Sequence, residues 1–348
     1  MSKNPFSLSF GRKPFEYIDR FSDEQRIFDT FTEMPVTDQV FVIMGVRGTG
    51  KTVAMTEITD RIGELDDWIV LKISPLDDIT DALFKMLYNN RKVHKICLDA
   101  RIDFSFLGVN VSVENKDIGY NLNDMINQIL EQLQKKNIKV LVAIDEVTNT
   151  PQMQRFASAF QLFITDNRPL YFLATGLYDE IESLRNVHNL TFLYRAPRVN
   201  LSPLNLGAIA DKYKRVFDIS TQESVEMARE TKGYSFAFQT LGYVTWEHKG
   251  EEILSTDIIS EYDQRLSEAS YSKLWSELSE TDKKVCRVIA RDEGGHVSDF
   301  REKLDMDTNY FNQYRRRLKA QGLIDTSTYG CISFTLPRFA HFILTETY

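Results

Sequence analysis

The chain has 348 residues, 43% hydrophobic and 26% charged, with a formal net charge of −8. That length predicts two or three domains of about 100 to 200 residues each. The acidic balance excludes a surface that coats nucleic acid throughout, because phosphate binding is driven by clustered Lys and Arg, although a local basic element is still compatible. No stretch approaches the roughly 18 apolar residues of a membrane span, and Met1-Ser2-Lys3-Asn4-Pro5-Phe6 lacks the charged-then-apolar run of a secretory leader. Cys97, Cys286 and Cys331 lie far apart. Together these features imply a cytoplasmic, reduced setting without a membrane partner, and buried thiols in place of a metal site or disulfide.

In chain order, residues 40 to 44, Val-Phe-Val-Ile-Met, form a continuous apolar run that predicts a buried parallel strand. The loop Gly45-Val46-Arg47-Gly48-Thr49-Gly50-Lys51-Thr52 follows directly, and apolar residues then recur at helical spacing through Ile62. Strand, glycine-rich loop and helix in this order make a phosphate-binding loop. Its glycines let successive backbone N–H groups turn toward phosphates, and the helix N-terminus adds positive potential. Lys51 is the partner for the β and γ phosphates of ATP, and the Thr52 hydroxyl is a ligand for Mg²⁺.

Between Ile102 and Val113 apolar residues alternate with small or polar ones around Gly108, which predicts an inserted β-hairpin used for packing or subunit contact. A helical segment from Leu122 to Lys136 precedes the apolar run Lys139 to Ile144, which ends in Asp145 and Glu146. Two acids at the carboxyl edge of a strand stand where α/β sheets bind ligands. Asp145 is the candidate magnesium ligand and Glu146 the candidate for polarising the attacking water. A third strand, Pro169 to Gly176, ends in Thr175, a candidate for contact with the γ-phosphate or the water.

Residues 205 to 265 carry helical patterns broken near Asp218-Ile219-Ser220 and at Gly233, and the polar stretch from Gly250 to about Ser272 reads as a passage into a further unit. From Ser279 onward the order is helix, turn at Asp292 to Gly295, short helix, a third helix opened by Asp307-Thr308, and a β-like return at Ile332 to Leu336. That order predicts a winged helix-turn-helix. In its third helix Phe311, Tyr314 and Leu318 share one face, which turns Asn312, Gln313, Arg316 and Lys319 outward. Those residues, with Arg315 and Arg317, are the DNA-binding candidates, because amides pair with adenine edges while Arg and Lys serve guanine or phosphate.

Taken together, the loop at 45 to 52, the Asp145-Glu146 strand end and a third strand ending in Thr175 resemble the AAA+ superfamily. Within it the chain is similar to prokaryotic ATPases of the origin-recognition and initiator branch. Tyr194 to Leu204, Gly233 to Gln239 and Gly330 to Pro337 carry the likeness further along the chain. The resemblance implies an α/β fold with three parts. These are a P-loop ATPase core at 1–204 with the hairpin inserted at about 102–113, a helical lid at 205–272, and a winged-helix domain at 273–348. It implies ATP or ADP and Mg as cofactors, with Tyr17 and Ile18 cradling the adenine. It also implies oligomerisation on nucleotide binding, with a neighbour's site completed by an arginine; of Arg185, Arg195 and Arg198, Arg195 is the candidate.

One departure bears on activity. Initiator-type members place a γ-phosphate-sensing arginine shortly after the lid glycine, whereas Gly233 here is followed by Tyr234, Ser235 and Phe236. That resembles the STAND signalling ATPases, which use nucleotide as a switch and act through protein partners. Two expectations follow: an ATPase coupled to DNA through the winged helix, or a slow regulatory switch.

Overall fold

Five strands, four of them largely apolar, pair side by side in the computed structural model, which describes residues 3–9, 11, 13–100, 122–187 and 191–346. The hairpin expected at about 102–113 lies outside the described residues. The strands are β1 (Val40–Met44), β2 (Trp68–Ile73), β3 (Lys139–Ile144), β4 (Leu170–Gly176) and β5 (Arg198–Asn200), all parallel, in the order β2-β3-β4-β1-β5. Parallel neighbours need crossover connections, and helices supply them. In chain order these helices are α1 (Phe21–Thr32), α2 (Lys51–Gly63), α3 (Ile79–Asn89), α4 (Arg91–Asp99), α5 (Leu122–Lys135), α6 (Pro151–Thr165), α7 (Tyr178–Arg185) and α8 (Thr191–Arg195).

Side-chain alternation along the strands divides the apolar residues between two faces. Val40, Val42 and Met44 join Val140, Val142, Ile144, Leu170, Phe172 and Ala174 in one cluster, covered by Leu83 and Leu87 of α3, Ile129 and Leu133 of α5, and Phe156 and Phe160 of α6. On the other side Phe41 meets Phe31 of α1 at 5.3 Å between ring centroids, with Trp68 and Tyr171 4.7 Å apart beside them. Each fully buried phenylalanine contributes about 1.5–3 kcal/mol through the area it removes from water. Register follows: Met44 stands opposite Gly176 on one side and Asn200 on the other, so the loop leaves β1 at the same edge where β4 ends.

The chain separates into two compact units. One comprises Ser22–Met44 and Ala54–Asn200 and holds the whole five-stranded sheet; the other comprises Met1–Phe21, Gly45–Val53 and Leu201–Tyr348. The phosphate loop thus belongs with the N-terminal segment and the C-terminal half of the chain.

In that second unit the helices are α9 (Leu206–Phe217), α10 (Thr221–Glu230), α11 (Ser235–Glu247) and α12 (Thr256–Leu266), then a π-helical turn at Ser267–Tyr271 and α13 (Ser272–Glu277). Short polar side chains open them: Asn205 accepts from the Ala208 amide, and Ser220 with Glu223 forms a reciprocal capping box. The breaks expected near Asp218 and Gly233 fall where both residues adopt positive φ, 54° and 73°. The polar stretch from Gly250 to about Ser272 holds α12, which lies almost wholly within the range expected to be helical, 205 to 265. Its Ile258, Tyr262 and Leu266 recur at four-residue spacing and are fully buried in the same cluster as Tyr213, Phe238 and Leu241.

The C-terminal part contributes α14 (Glu280–Ala290), α15 (Val297–Leu304) and α16 (Thr308–Ala320), an antiparallel ribbon β6 (Ile324–Asp325) with β7 (Ser333–Phe334), and α17 (Phe339–Thr345). Its core residues Val285, Ile289, Phe300, Phe311 and Leu318 are continuous with those of α9 to α12. Asp307 caps α16, accepting from the Asn309 and Tyr310 amides at 2.8 and 2.9 Å. No helix among the described residues is long and apolar enough to cross a membrane.

His248, at the end of α11, lies 2.8 Å from both Glu251 and Glu261, so its imidazole bridges the α11–α12 connection. Its hydrogen bonds to Glu251 and Glu261 raise its pKa above the usual 6.5, and they lower both carboxyls. A raised folded-state pKa gives stability that is complete below the unfolded value and is lost as pH rises through the folded value. The stability gap between the wild type and His248→Gln is therefore expected to be widest near pH 6 and to close above the folded pKa. Urea denaturation across pH 5.5 to 9 measures it; a gap independent of pH would show that the charge on His248 contributes nothing.

Candidate functional site

The loop that follows β1 turns through Gly48 and Gly50 at φ +76° and +91°, conformations that a Cβ strains. Its carbonyls are engaged one after another. Lys51, 8% exposed, donates from Nζ to the Gly45 and Val46 oxygens at 2.9 and 3.0 Å, and Thr49 Oγ1 donates to Val46 O at 3.0 Å. The next three carbonyls accept from the start of α11: Arg47 O from the Tyr234 hydroxyl, Gly48 O from the Phe236 amide at 3.1 Å, and Thr49 O from Ser235 Oγ at 3.0 Å. The approach is close enough that a Cβ on Gly48 would overlap the Tyr234 hydroxyl and come within 2.9 Å of Phe236 Cβ.

The stretch that lacks the expected arginine is therefore seated on the loop. Beside it, Arg20 donates from Nε to Ser202 O and from Nη2 to Ser235 Oγ, both at 2.9 Å, and a Cβ on Gly50 would lie 2.9 Å from its Nη1. A cation beside this part of the loop thus comes from the N-terminal segment. Tyr17 lies under the Lys13 ammonium at 4.6 Å, and Ile18 is buried in the cluster that also holds Val46 and Leu204. Arg47 pairs with Glu277 of α13 at 3.2 Å, both partly exposed, a contact that salt would screen.

In the sheet-containing unit, the turn after β3 is pinned to the end of β4. The buried Thr175 hydroxyl donates to Asp145 Oδ1 and accepts from the Glu146 amide at 3.1 Å, while the Val147 amide donates to Thr175 O at 2.8 Å. Glu146 sits at φ 53°, an unusual conformation for a non-glycine residue, and is exposed; Asp145 is half-buried. Thr175, expected to contact phosphate or water, is here hydrogen-bonded to both acids. Thr52 and Asp145 each carry a hard oxygen donor, the ligand type that magnesium takes.

Of the three arginines considered for a neighbouring site, two are committed within their own unit. Arg185 is buried against Glu182 at 2.5 Å and against the Leu193 and Tyr194 carbonyls, and Arg198 reaches the same Glu182 at 3.0 Å. Arg195 closes α8 and is exposed. On α16, Gln313, Arg316 and Lys319 are exposed, whereas Asn312 and Arg315 are half-buried. Arg317 is tied to the buried Asp282 of α14 and reaches Ser279 at 3.2 Å, which gives it a packing function within the helices. Phe311 and Leu318 form the buried face as expected, with Tyr314 at its border donating to Tyr310 at 2.9 Å.

A parallel sheet in the order 2-3-4-1-5, with a phosphate loop after the first strand and paired acids after the third, has the fold of AAA+ P-loop ATPases of the origin-recognition type. Among solved structures the chain is similar to a Walker-type ATPase of Pyrococcus abyssi, at 15% identity and a TM-score of 0.59, covering 94% of this chain and 96% of that one. It is also similar to the ORC2 protein of Aeropyrum pernix in its ADPNP–ADP complexes, at 12% identity and a TM-score of 0.57, covering 98% and 97%. At these identities the likeness is one of fold. Residues 268–343 match a family described as a domain of unknown function, DUF8462. No curated protein matches the chain in sequence.

Sequence reasoning did not find Arg20 beside Gly50 or the fastening of Tyr234 and Ser235 to the loop. The contacts of Ser235 with Arg20 and of Tyr234 with Arg47 span 215 and 187 positions, which no local period or motif signals. Thr175→Val removes the hydroxyl that joins Asp145 to the Glu146 amide while keeping the side-chain volume. Its kcat for ATP is expected to fall at least about tenfold, the size of one lost buried hydrogen bond in a catalytic turn, with the Kd for ATP changed less than twofold. An unchanged kcat would remove Thr175 from the site.

Proposed function

We propose that this protein is a cytoplasmic ATPase that binds and hydrolyses Mg-ATP and couples nucleotide state to DNA binding through residues 273–348, read as a winged helix. The observation that carries the proposal is the pairing of a complete phosphate loop with Asp145 and Glu146 in this strand order. In this reading the loop amides of residues 45 to 51 bind the phosphates, Lys51 neutralises the β and γ groups, and Tyr17 and Ile18 flank the adenine. Thr52 and Asp145 would hold magnesium, which when bound offsets phosphate charge. Glu146 orients the attacking water and takes part of its proton. The Aeropyrum ORC2 structure holds ADPNP and ADP, the nucleotide class proposed here.

The chain assembles as a homo-oligomer in this proposal, with Arg195 completing the site of a neighbour; its exposure, against the internal pairing of Arg185 and Arg198, supports that choice. For DNA, the exposed Gln313, Arg316 and Lys319, with Asn312 and Arg315 at their margin, form the contacting face. Arg317 supports that face through Asp282. A second reading is favoured by the seating of Tyr234, Ser235 and Phe236 on the loop. In it the protein is a slow nucleotide-held switch of the STAND kind that acts through protein partners.

Steady-state ATPase with and without duplex DNA separates the two. Stimulation by DNA, abolished by Glu146→Gln, is expected for the first; tightly co-purifying ADP with negligible turnover would replace it by the second. Arg195→Ala is expected to lower kcat by roughly 10³-fold with the ATP Kd nearly unchanged, and equal activity removes Arg195 from the site. The triple variant Arg315→Ala, Arg316→Ala, Lys319→Ala is expected to weaken DNA binding and flatten its salt dependence by up to about three charges. An unaltered mobility shift defeats the DNA reading.

A further inference from the structure

The Tyr234 side chain is 5% exposed, and its hydroxyl has two partners, Arg47 O of the phosphate loop and Ser270 Oγ at 3.0 Å. A carbonyl only accepts, so the single phenolic proton goes to Arg47 O and Ser270 must donate to the phenol oxygen. Burial raises the Tyr234 pKa well above its usual value, so the phenol remains a donor throughout the working range. Ser270 is 2% exposed and lies in the π-helical turn Ser267–Tyr271 between α12 and α13. The next residue, Tyr271, donates from its hydroxyl to Pro337 O at 2.6 Å. Arg338 beyond it, at φ 58°, returns a bidentate pair to Asp263 of α12 at 2.7 and 2.6 Å.

One turn of helix thus sends adjacent side chains in two directions, Ser270 to the loop through Tyr234 and Tyr271 to the segment that leads into α17. π-Turns of this kind add a residue to the helical turn and are frequent at functional positions. The contact is also internally ordered. Tyr234, Ser235 and Phe236 engage three consecutive loop carbonyls, and Lys51 with Thr49 engages the two before them. Carbonyls anchored in sequence hold the peptide planes between them, and phosphate binding depends on the orientation of the amides in those same planes.

We propose that Tyr234 is the positioning residue of the phosphate loop, and that through Ser270 it makes the loop's grip on nucleotide depend on the placement of the C-terminal helices. The proposal rests on the reading of residues 45 to 52 as the nucleotide site and goes beyond it by naming what regulates that site. Tyr234 touches no reacting atom in this scheme. It acts by holding the Arg47 peptide, and displacement of the 267–271 turn removes the donor that keeps its hydroxyl oriented.

The test follows release of Mg-bound mant-ATP from the full chain, chased with ATP in stopped flow. Tyr234→Phe, which keeps the ring, is expected to speed release roughly tenfold, and Ser270→Ala about threefold, as for loss of one buried hydrogen bond. The double variant should release no faster than Tyr234→Phe alone, because the two groups act in series. In parallel, Mg-ATP should slow backbone hydrogen exchange at 267–277 in the wild type and not in Tyr234→Phe, a readout that general loosening of the core would not produce. Release within twofold of wild type in both single variants, or effects that multiply in the double variant, would overturn the proposal. If Tyr234→Phe does not fold, Ser270→Ala decides by the same release and exchange criteria. A wild-type chain that takes up no mant-ATP removes the nucleotide-site reading itself, an outcome visible before any variant is measured.

Discussion

Five consecutive peptide carbonyls, from Gly45 to Thr49, each accept a hydrogen bond, and the sources of those bonds organise one of the two units. Two are satisfied from within the loop by Lys51 and Thr49, and three by the first residues of α11. A glycine-rich loop has little conformational preference of its own, so its shape must come from such partners. α11 is packed in one continuous apolar cluster with α9, α10, α12 and the C-terminal helices. Through these bonds residues 45 to 53 group with the C-terminal half although they follow a strand of the sheet.

The other unit meets a separate constraint. A parallel sheet buried on both faces leaves only its carboxyl edge for polar chemistry, and there the chain places Asp145, Glu146 and Thr175. The hydroxyl of Thr175 links the two acids, and the left-handed conformation of Glu146 is held by amide hydrogen bonds on either side of it. The loop at 45 to 52 and the paired acids thus belong to different compact units.

The polar surface of α16 shows how a charge run divides between solvent and packing. Three arginines in succession look equivalent as a string, yet a helix turns them about 100° apart, and Arg317 falls where α14 offers the buried Asp282. Arg316 and Lys319 remain on the outer face.

The residues by themselves determined the phosphate loop, the paired acids and the helical periods of the C-terminal half, because these depend on spacing over a few residues. The same local logic identified Phe311 and Leu318 as buried and Asp307 as the start of a helix. It did not single out the buried stripe of Ile258, Tyr262 and Leu266 between Gly250 and Ser272, since that stripe is sparse among polar neighbours. What only the tertiary structure decided was which distant side chains fasten the loop and the charged helix faces. Tyr234 meets Arg47 from 187 positions away, Arg20 meets Ser235 from 215, and Arg317 meets Asp282 from 35. Contacts at such separations are set by how whole helices pack, and no period or motif in the chain encodes them locally.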